Sequence, residues 1–178
     1  MLKKPITALL ISLVVAMLAL SNVLAAPAIT APLVITRTPL APGLKDAAAA
    51  GLSNYFKREQ NWLNDQSASL QKANQAATTT QQLIDAAQAE GKDVSSLQTA
   101  LNQYNSDIAN AQSQHDQASS IISAHNGFDS SGAATDLNTA YHTVVDARTA
   151  LREAHADIVL AVTTLRQAVE QWRAANPS

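Results

Sequence analysis

Apolar residues recur at alternating steps of three and four along the middle of the chain, and this heptad pattern limits the fold more than any other feature. The stripe consists of Val94, Leu97, Leu101, Tyr104, Ile108, Ala111, His115, Ala118, Ile122 and His125. Such a spacing belongs to an α-helix, and no β-strand can use it. Because the segments on either side have the same period, the sequence predicts a bundle of long helices.

Glycine and turn residues divide this region into three predicted helices. Gly91 is followed by Asp93, a pattern typical of a helix end and the N-cap of the next helix. Residues 126–132 form a second turn cluster, after which Thr135 or Asp136 caps the last helix. The predicted helices span residues 46–90, 94–125 and 134–175. Short connections make neighbours antiparallel, so the fold class is all-α, an elongated antiparallel three-helix bundle over residues 45–176.

The N-terminus has the pattern of an export signal. Lys3 and Lys4 precede an apolar stretch over residues 6–20, and small residues then lead to a cleavage point before Ala26. We expect residues 1–25 to be a signal peptide and the protein to be exported, to the periplasm or the exterior of a bacterium. The alternative is an uncleaved anchor, since the apolar stretch is just long enough to cross a bilayer.

Residues 26–44 are rich in proline, which prevents a helix and favours an extended chain. We expect this segment to be a tether between the signal peptide and the bundle. A second interpretation is that residues 33–35, Leu-Val-Ile, add as an edge strand to a partner protein.

Composition excludes several classes of function. The chain has no cysteine, which excludes disulfides, c-type haem, thiolate zinc sites and a catalytic cysteine. Its formal net charge is −2, so it has no basic footprint for nucleic acid or anionic lipid. Phosphate-binding loops, nucleophile elbows and paired interior carboxylates are missing from the sequence. We therefore expect neither an enzyme, nor a cofactor, nor a small-molecule substrate.

Polar residues inside the apolar stripes are the candidate site. If antiparallel neighbours are aligned about their turns, Thr80, Tyr104 and His155 come to the same level. We expect them to form a buried, hydrogen-bonded layer that fixes the register of the helices, as polar core residues do in coiled coils. Partial exposure of His155, or a ligand site, are the alternatives.

A second polar position is predicted at His115, about one turn from Arg148. Two histidines with one acid can hold a divalent metal, and His142 and Asp116 are the available companions. The spacing does not direct both imidazoles to one point, so we expect a second register-setting polar layer with no metal site. His125 is expected to cap a helix C-terminus.

The same alignment predicts that apolar residues at both ends of the rod extend past the turns. These residues are Leu52, Tyr55, Phe56, Val169 and Trp172. One hypothesis is that they contact a protein partner or a second copy of the chain. The other, which we favour, is that they close the ends of the bundle themselves or meet the folded-back proline-rich tether.

Four short stretches carry a resemblance to a broader group of proteins. They are residues 58–62 (Arg-Glu-Gln-Asn-Trp), 89–94 (Ala-Glu-Gly-Lys-Asp-Val), 125–129 (His-Asn-Gly-Phe-Asp) and 152–155 (Arg-Glu-Ala-His). Residues 55–176 thereby resemble exported bacterial helical proteins of unknown function. The resemblance implies a helical fold and no particular activity.

Three functions are open at this point. The leading one is a non-enzymatic extracytoplasmic interaction or structural module. The second is a periplasmic chaperone-like or metal-stress-sensing helical protein, and the third is an amphipathic lipid-binding bundle. Apart from an uncleaved signal anchor, the sequence predicts no membrane contact for the leading function.

Overall fold

The computed structural model describes residues 42–177, which form three long α-helices. Helix α1 spans Pro42–Ala89, α2 spans Ser95–Ala124 and α3 spans Leu137–Ala175. At about 1.5 Å per residue, α1 is about 72 Å long, α2 about 45 Å and α3 about 58 Å. All three helices pack against one another, most extensively α2 against α3. The predicted all-α three-helix bundle is confirmed, whereas the signal peptide and residues 26–41 of the tether lie outside the described residues.

The helix boundaries differ slightly from those predicted. Helix α1 begins at Pro42, so the last three residues of the predicted tether are helical. Proline suits the first turn of a helix because its missing N–H would have no partner there. Helix α3 begins at Leu137, three residues later than predicted, because Asp136 is the N-cap and accepts a hydrogen bond from Thr139 N at 2.9 Å.

Left-handed residues end the first two helices. Gly91 has φ 78°, and the side chain of Asp93 then accepts a hydrogen bond from Ser95 N at 2.9 Å, although the N-cap residue of α2 is Val94 and not Asp93 as predicted. Helix α2 ends at Ala124, and His125, with φ 51°, is its C-cap as predicted. Gly127 follows with φ 80°, and a Cβ atom on it would lie 2.2 Å from Ala140 N. Only glycine therefore fits the point where the second turn crosses the start of α3.

Two apolar clusters form the core. The upper cluster lies near the α1–α2 turn and joins Leu83, Leu97, Tyr104, Ile158 and Leu165, among others. The lower cluster lies near the α2–α3 turn and contains Leu52, Phe56, Ile122, Phe128 and Leu151. Many remaining members of both clusters are alanines, so the helices approach closely while each layer buries little area.

Candidate functional site: a buried polar section

Polar side chains lie in the core where the two apolar clusters meet. We call Glu59, Gln66, Ser67, His115 and Arg148 the polar section. Glu59 is 1% exposed, Gln66 3% and His115 7%, and all three lie on apolar stripes of their helices. Because a buried polar group without a partner is costly, the geometry of their contacts decides what this section can do.

His115 connects α2 to α1 through both nitrogens of its ring. Its Nδ1 lies 3.1 Å from Gln66 Oε1, and its Nε2 lies 3.1 Å from Ser67 Oγ. Gln66 in turn donates through Nε2 to the Leu151 carbonyl at 3.0 Å, which carries the connection to α3. One chain of hydrogen bonds thus crosses all three helices.

The direction of these bonds follows from the donors and acceptors available. The amide nitrogen of Gln66 is used on Leu151, so its oxygen accepts and His115 Nδ1 carries the proton. Ser67 has one hydroxyl proton, which can go to His115 Nε2 at 3.1 Å or to the Leu63 carbonyl at 3.3 Å. Burial lowers the pKa of His115, while the neighbouring charge of Asp116 opposes the shift. Burial therefore favours the neutral ring, in which Nε2 accepts from the Ser67 hydroxyl.

Glu59 and Arg148 form an ion pair between α1 and α3. Arg148 Nη2 lies 2.7 Å from Glu59 Oε1, and the Arg148 side chain is 13% exposed. Within the described residues, Glu59 Oε2 and Arg148 Nε and Nη1 have no hydrogen-bond partner. Burial raises the pKa of Glu59, against the lowering effects of Arg148 and Arg58. The guanidinium carbon of Arg148 also lies 6.0 Å from the centre of the Tyr55 ring.

The first predicted polar layer does not form. Thr80 and Tyr104 are buried, but Tyr104 Oη donates to the Ala73 carbonyl at 2.8 Å and Thr80 Oγ1 donates to the Ala76 carbonyl at 2.8 Å. His155 is half-buried, with its ring centre 6.3 Å from that of Trp62. No hydrogen bond joins the three side chains in the part of the chain described, because backbone carbonyls of α1 meet the two hydroxyls first.

The second predicted position is separated into two contacts. His115 and Arg148 are both partners of α1, but His115 binds Gln66 and Ser67 while Arg148 binds Glu59. The single polar position predicted around His115 and Arg148 is therefore two separate contacts, each with residues of the first helix.

The alternative companions for a metal lie elsewhere. Asp116 is exposed and accepts a hydrogen bond from Gln112 Nε2 at 2.8 Å. His142 lines an open groove of about 420 Å³ between the end of α2 and the start of α3, with Asp146 and Thr143. Over residues 42–177, no group of three histidine, cysteine or acidic side chains is placed to hold a metal ion.

The lower end of the bundle is closed by its own turn. The rings of Phe56 and Phe128 stack with centres 4.2 Å apart, and His125 meets Phe56 edge-on at 5.3 Å. Phe56 is fully buried and Leu52 is 6% exposed, while Tyr55 packs against the lower cluster. These residues do not extend into solvent as an apolar surface.

The upper end is closed in the same way. Trp172 Nε1 donates to the Asp93 carbonyl at 2.7 Å, and Lys92 Nζ lies 5.7 Å from the centre of the indole ring. Trp172 is 5% exposed and Val169 is 1% exposed. Of the two alternatives stated for the end residues, closure of the bundle by its own turns is the one that describes them.

Glu59 and Gln66 were missed as site residues, although the sequence carries a signal for them. The apolar stripe of α1 continues from Phe56 through Leu63 to Leu70 at steps of three and four that pass through positions 59 and 66. A charged or amide side chain in the middle of such a stripe needs a buried partner.

The groups of the polar section join the helices, and the contact of Ser67 with His115 lies in the core between α1 and α2. Among residues 42–177, no helix has both the length and the apolar character needed to cross a bilayer. Comparison with known protein families, curated proteins and solved structures gives no match to this chain.

Proposed function

We propose that the chain is a non-enzymatic, extracytoplasmic helical module that acts through its outer surface, as a structural element or as a binding partner for protein. The observation that carries this proposal is the use of the polar section. Both ring nitrogens of His115 contact α1, and the charge of Arg148 is paired with Glu59. Groups that could perform chemistry are thus occupied in fixing the positions of the helices.

The shape of the bundle supports the same proposal. Its ends are closed by Phe56, Phe128 and Trp172, so a partner meets the long sides of the helices. About half of the exposed residues on these sides are Gln, Asn, Ser or Thr, most densely on α2, with scattered charges between them. Placement outside the cytoplasm rests on the signal pattern at the N-terminus.

Site-specific photocrosslinking in the producing cell tests the proposal. A photoreactive residue is placed singly at three exposed positions, Thr78 on α1, Ser113 on α2 and Ala156 on α3. We expect crosslinked protein products from one face in preference to the others, recovered from the envelope or the external fraction. Uniformly absent products at all three faces, or a chain found in the cytoplasm, would contradict the proposal.

A further inference from the structure

Exposed apolar side chains gather on the outer face of α3. Of the four large apolar residues that are exposed in the described part of the chain, three belong to α3: Val145 at 38%, Val159 at 36% and Leu160 at 56%. They lie opposite the face of α3 that is buried in the core. The fourth, Leu44, stands by itself near the start of α1 at 58%.

This outer face has a definite layout. Ala156, Val159, Leu160 and Thr163 follow the i, i+3, i+4, i+7 spacing of one helix face and are all exposed. At 100° per residue, Val159 lies on one edge of this face and Leu160 on the other. Arg152 is one heptad before Val159, and Glu153 is one heptad before Leu160, so one edge carries a positive charge and the other a negative charge.

We propose that this face binds a second copy of the chain, with the two α3 helices parallel and in register. The proposal rests on the proposed function and names the partner for one of its surfaces. In a parallel pair related by a twofold axis, the edge of one helix meets the opposite edge of the other. Val159 therefore packs on Leu160 of the second copy, and Arg152 lies beside Glu153 of the second copy. Each contact occurs twice.

Charge disfavours the antiparallel pairing of the same faces. In an antiparallel pair, like edges meet. The register that sets Val159 level with Val159 of the second copy brings Arg152 level with Arg166, and like charges at such a position are destabilising. The register that sets Val145 level with Leu160 of the second copy brings Arg152 close to Arg152 and Glu153 close to Glu153, so like charges meet there as well. The charge pattern of α3 therefore supports parallel self-pairing.

The contact is narrow, so the dimer is expected to be weak. A single helix pair buries less than the roughly 1,200 Å² that stable interfaces begin with. In the parallel arrangement, both copies begin α1 at the same end of the pair.

The absence of cysteine makes the test direct. In the parallel register, Ala156 of one copy faces Ala156 of the other, so the single variant Ala156→Cys is expected to form disulfide-linked dimers under mild oxidation. Thr78→Cys, exposed on α1, is the control. We expect at least tenfold faster dimer formation by Ala156→Cys. Equal rates for the two variants would overturn the proposal.

A pair of leucine variants checks the surface. Leu160→Gln in the Ala156→Cys background is expected to reduce crosslinking to the rate of the control, whereas Leu44→Gln, with nearly the same exposure, is expected to leave it unchanged. Because both leucines are more than half exposed, neither variant should unfold the chain. Equal effects of the two variants would contradict a specific role for α3.

Mixing experiments check the direction of the helices. A mixture of Ala156→Cys and Thr163→Cys chains is expected to give mainly products that link like positions. Predominant linkage of position 156 to position 163 would mean an antiparallel pair and would overturn the proposal. If photocrosslinks from position 156 on α3 lead only to a different protein, self-pairing is contradicted while the proposed function stands. If none of the three positions gives photocrosslinks, self-pairing and the proposed function are both contradicted.

Discussion

Gly127 is the residue at which the second turn tolerates no side chain. Its φ is 80°, and a Cβ would approach Ala140 N to 2.2 Å. Gly91 has nearly the same φ, 78°, but a Cβ there meets nothing within 4 Å. We expect Gly91→Ala to lower the free energy of unfolding by about 1–2 kcal/mol, the cost of a left-handed alanine. Gly127→Ala adds a backbone clash and should cost clearly more in urea unfolding. Equal losses would mean that the turn shifts freely.

The ion pair of Glu59 and Arg148 is expected to contribute specificity more than stability. Arg148→Met leaves Glu59 buried without its partner, and breaking such a pair costs about 3–5 kcal/mol. The double variant Glu59→Leu with Arg148→Met removes both charges and should be close to neutral or more stable. Urea unfolding of the single and double variants measures the difference. A single variant as stable as the parent chain would show that the pair is solvated.

Two histidines are expected to make the bundle sensitive to acid. Burial lowers the pKa of His115, with opposition from Asp116, and burial lowers the pKa of His155. The unfolded chain then takes up protons near pH 6.5 before the folded chain does. The stabilisation of the fold by the two neutral histidines is therefore complete above pH 6.5. It is lost as the pH falls through the lowered pKa values that the histidines have in the folded chain. Glu59, whose pKa is raised by burial, acts in the opposite direction, so the readout is a comparison of two chains. Between pH 7.5 and pH 5, the free energy of unfolding of the parent chain should fall relative to that of His115→Gln.

Nuclear magnetic resonance provides the direct control for this pH dependence. Ring-proton shifts of His115 and His155 should titrate below pH 6.5 in the folded chain. A midpoint at or above 6.5 for His115 would contradict a buried, neutral ring.

At the scale of single residues, the sequence predicts which positions are polar and buried better than it predicts their partners. His115 is buried on its stripe as predicted, because the heptad period fixes the face of a helix. A stripe with steps of three and four does not decide which of two neighbouring residues faces the core. On α3 the buried residue is Ala154, and the predicted residue, His155, is half-buried. The partner of Tyr104 is a backbone carbonyl, and a side-chain pattern carries no information about such acceptors.

Between helices, Trp172 makes the contact that joins the end of α3 to the α1–α2 turn. Trp172→Phe keeps most of the ring but loses the bond to the Asp93 carbonyl, which should cost about 1 kcal/mol. Trp172→Ala removes the ring from a buried site and should cost about 3–5 kcal/mol. Hydrogen exchange should show faster opening of the α1–α2 turn in both variants. Unchanged exchange at Asp93 and Lys92 would contradict this closing role.

The number and direction of the helices could be predicted from the sequence, because the heptad period is interrupted at both turns by Gly91, Gly127 and Gly132. The individual contacts that close the ends of the rod could not be predicted. Aligning levels about the turns treats each residue as a point on its axis, whereas helical side chains lean toward the N-terminus. The indole of Trp172 thereby reaches back to Asp93, and the long second turn places Phe128 over Phe56.

For the whole molecule, the polar section is expected to fix the register of three helices whose cores are otherwise much alike. Both apolar clusters consist largely of alanines with leucine and isoleucine at heptad spacing, so a shift by one heptad would bury a similar set of side chains. It would also separate His115 from Gln66 and Arg148 from Glu59, leaving buried polar groups unpaired. Specificity of this kind is documented for polar core positions in coiled coils.

Replacing both members of one contact separates register from stability. In Gln66→Leu with His115→Leu, two buried polar groups become apolar, so the free energy of unfolding at neutral pH should stay level or rise. A helix shifted by one heptad would then no longer leave these two groups buried without a partner, so the shifted register becomes more accessible. With spin labels on cysteines introduced at Thr78 and Ser113, both exposed, the parent chain should give one narrow distance distribution and the double variant a broader or bimodal one. An equally narrow distribution would mean that packing of the apolar clusters alone determines the register.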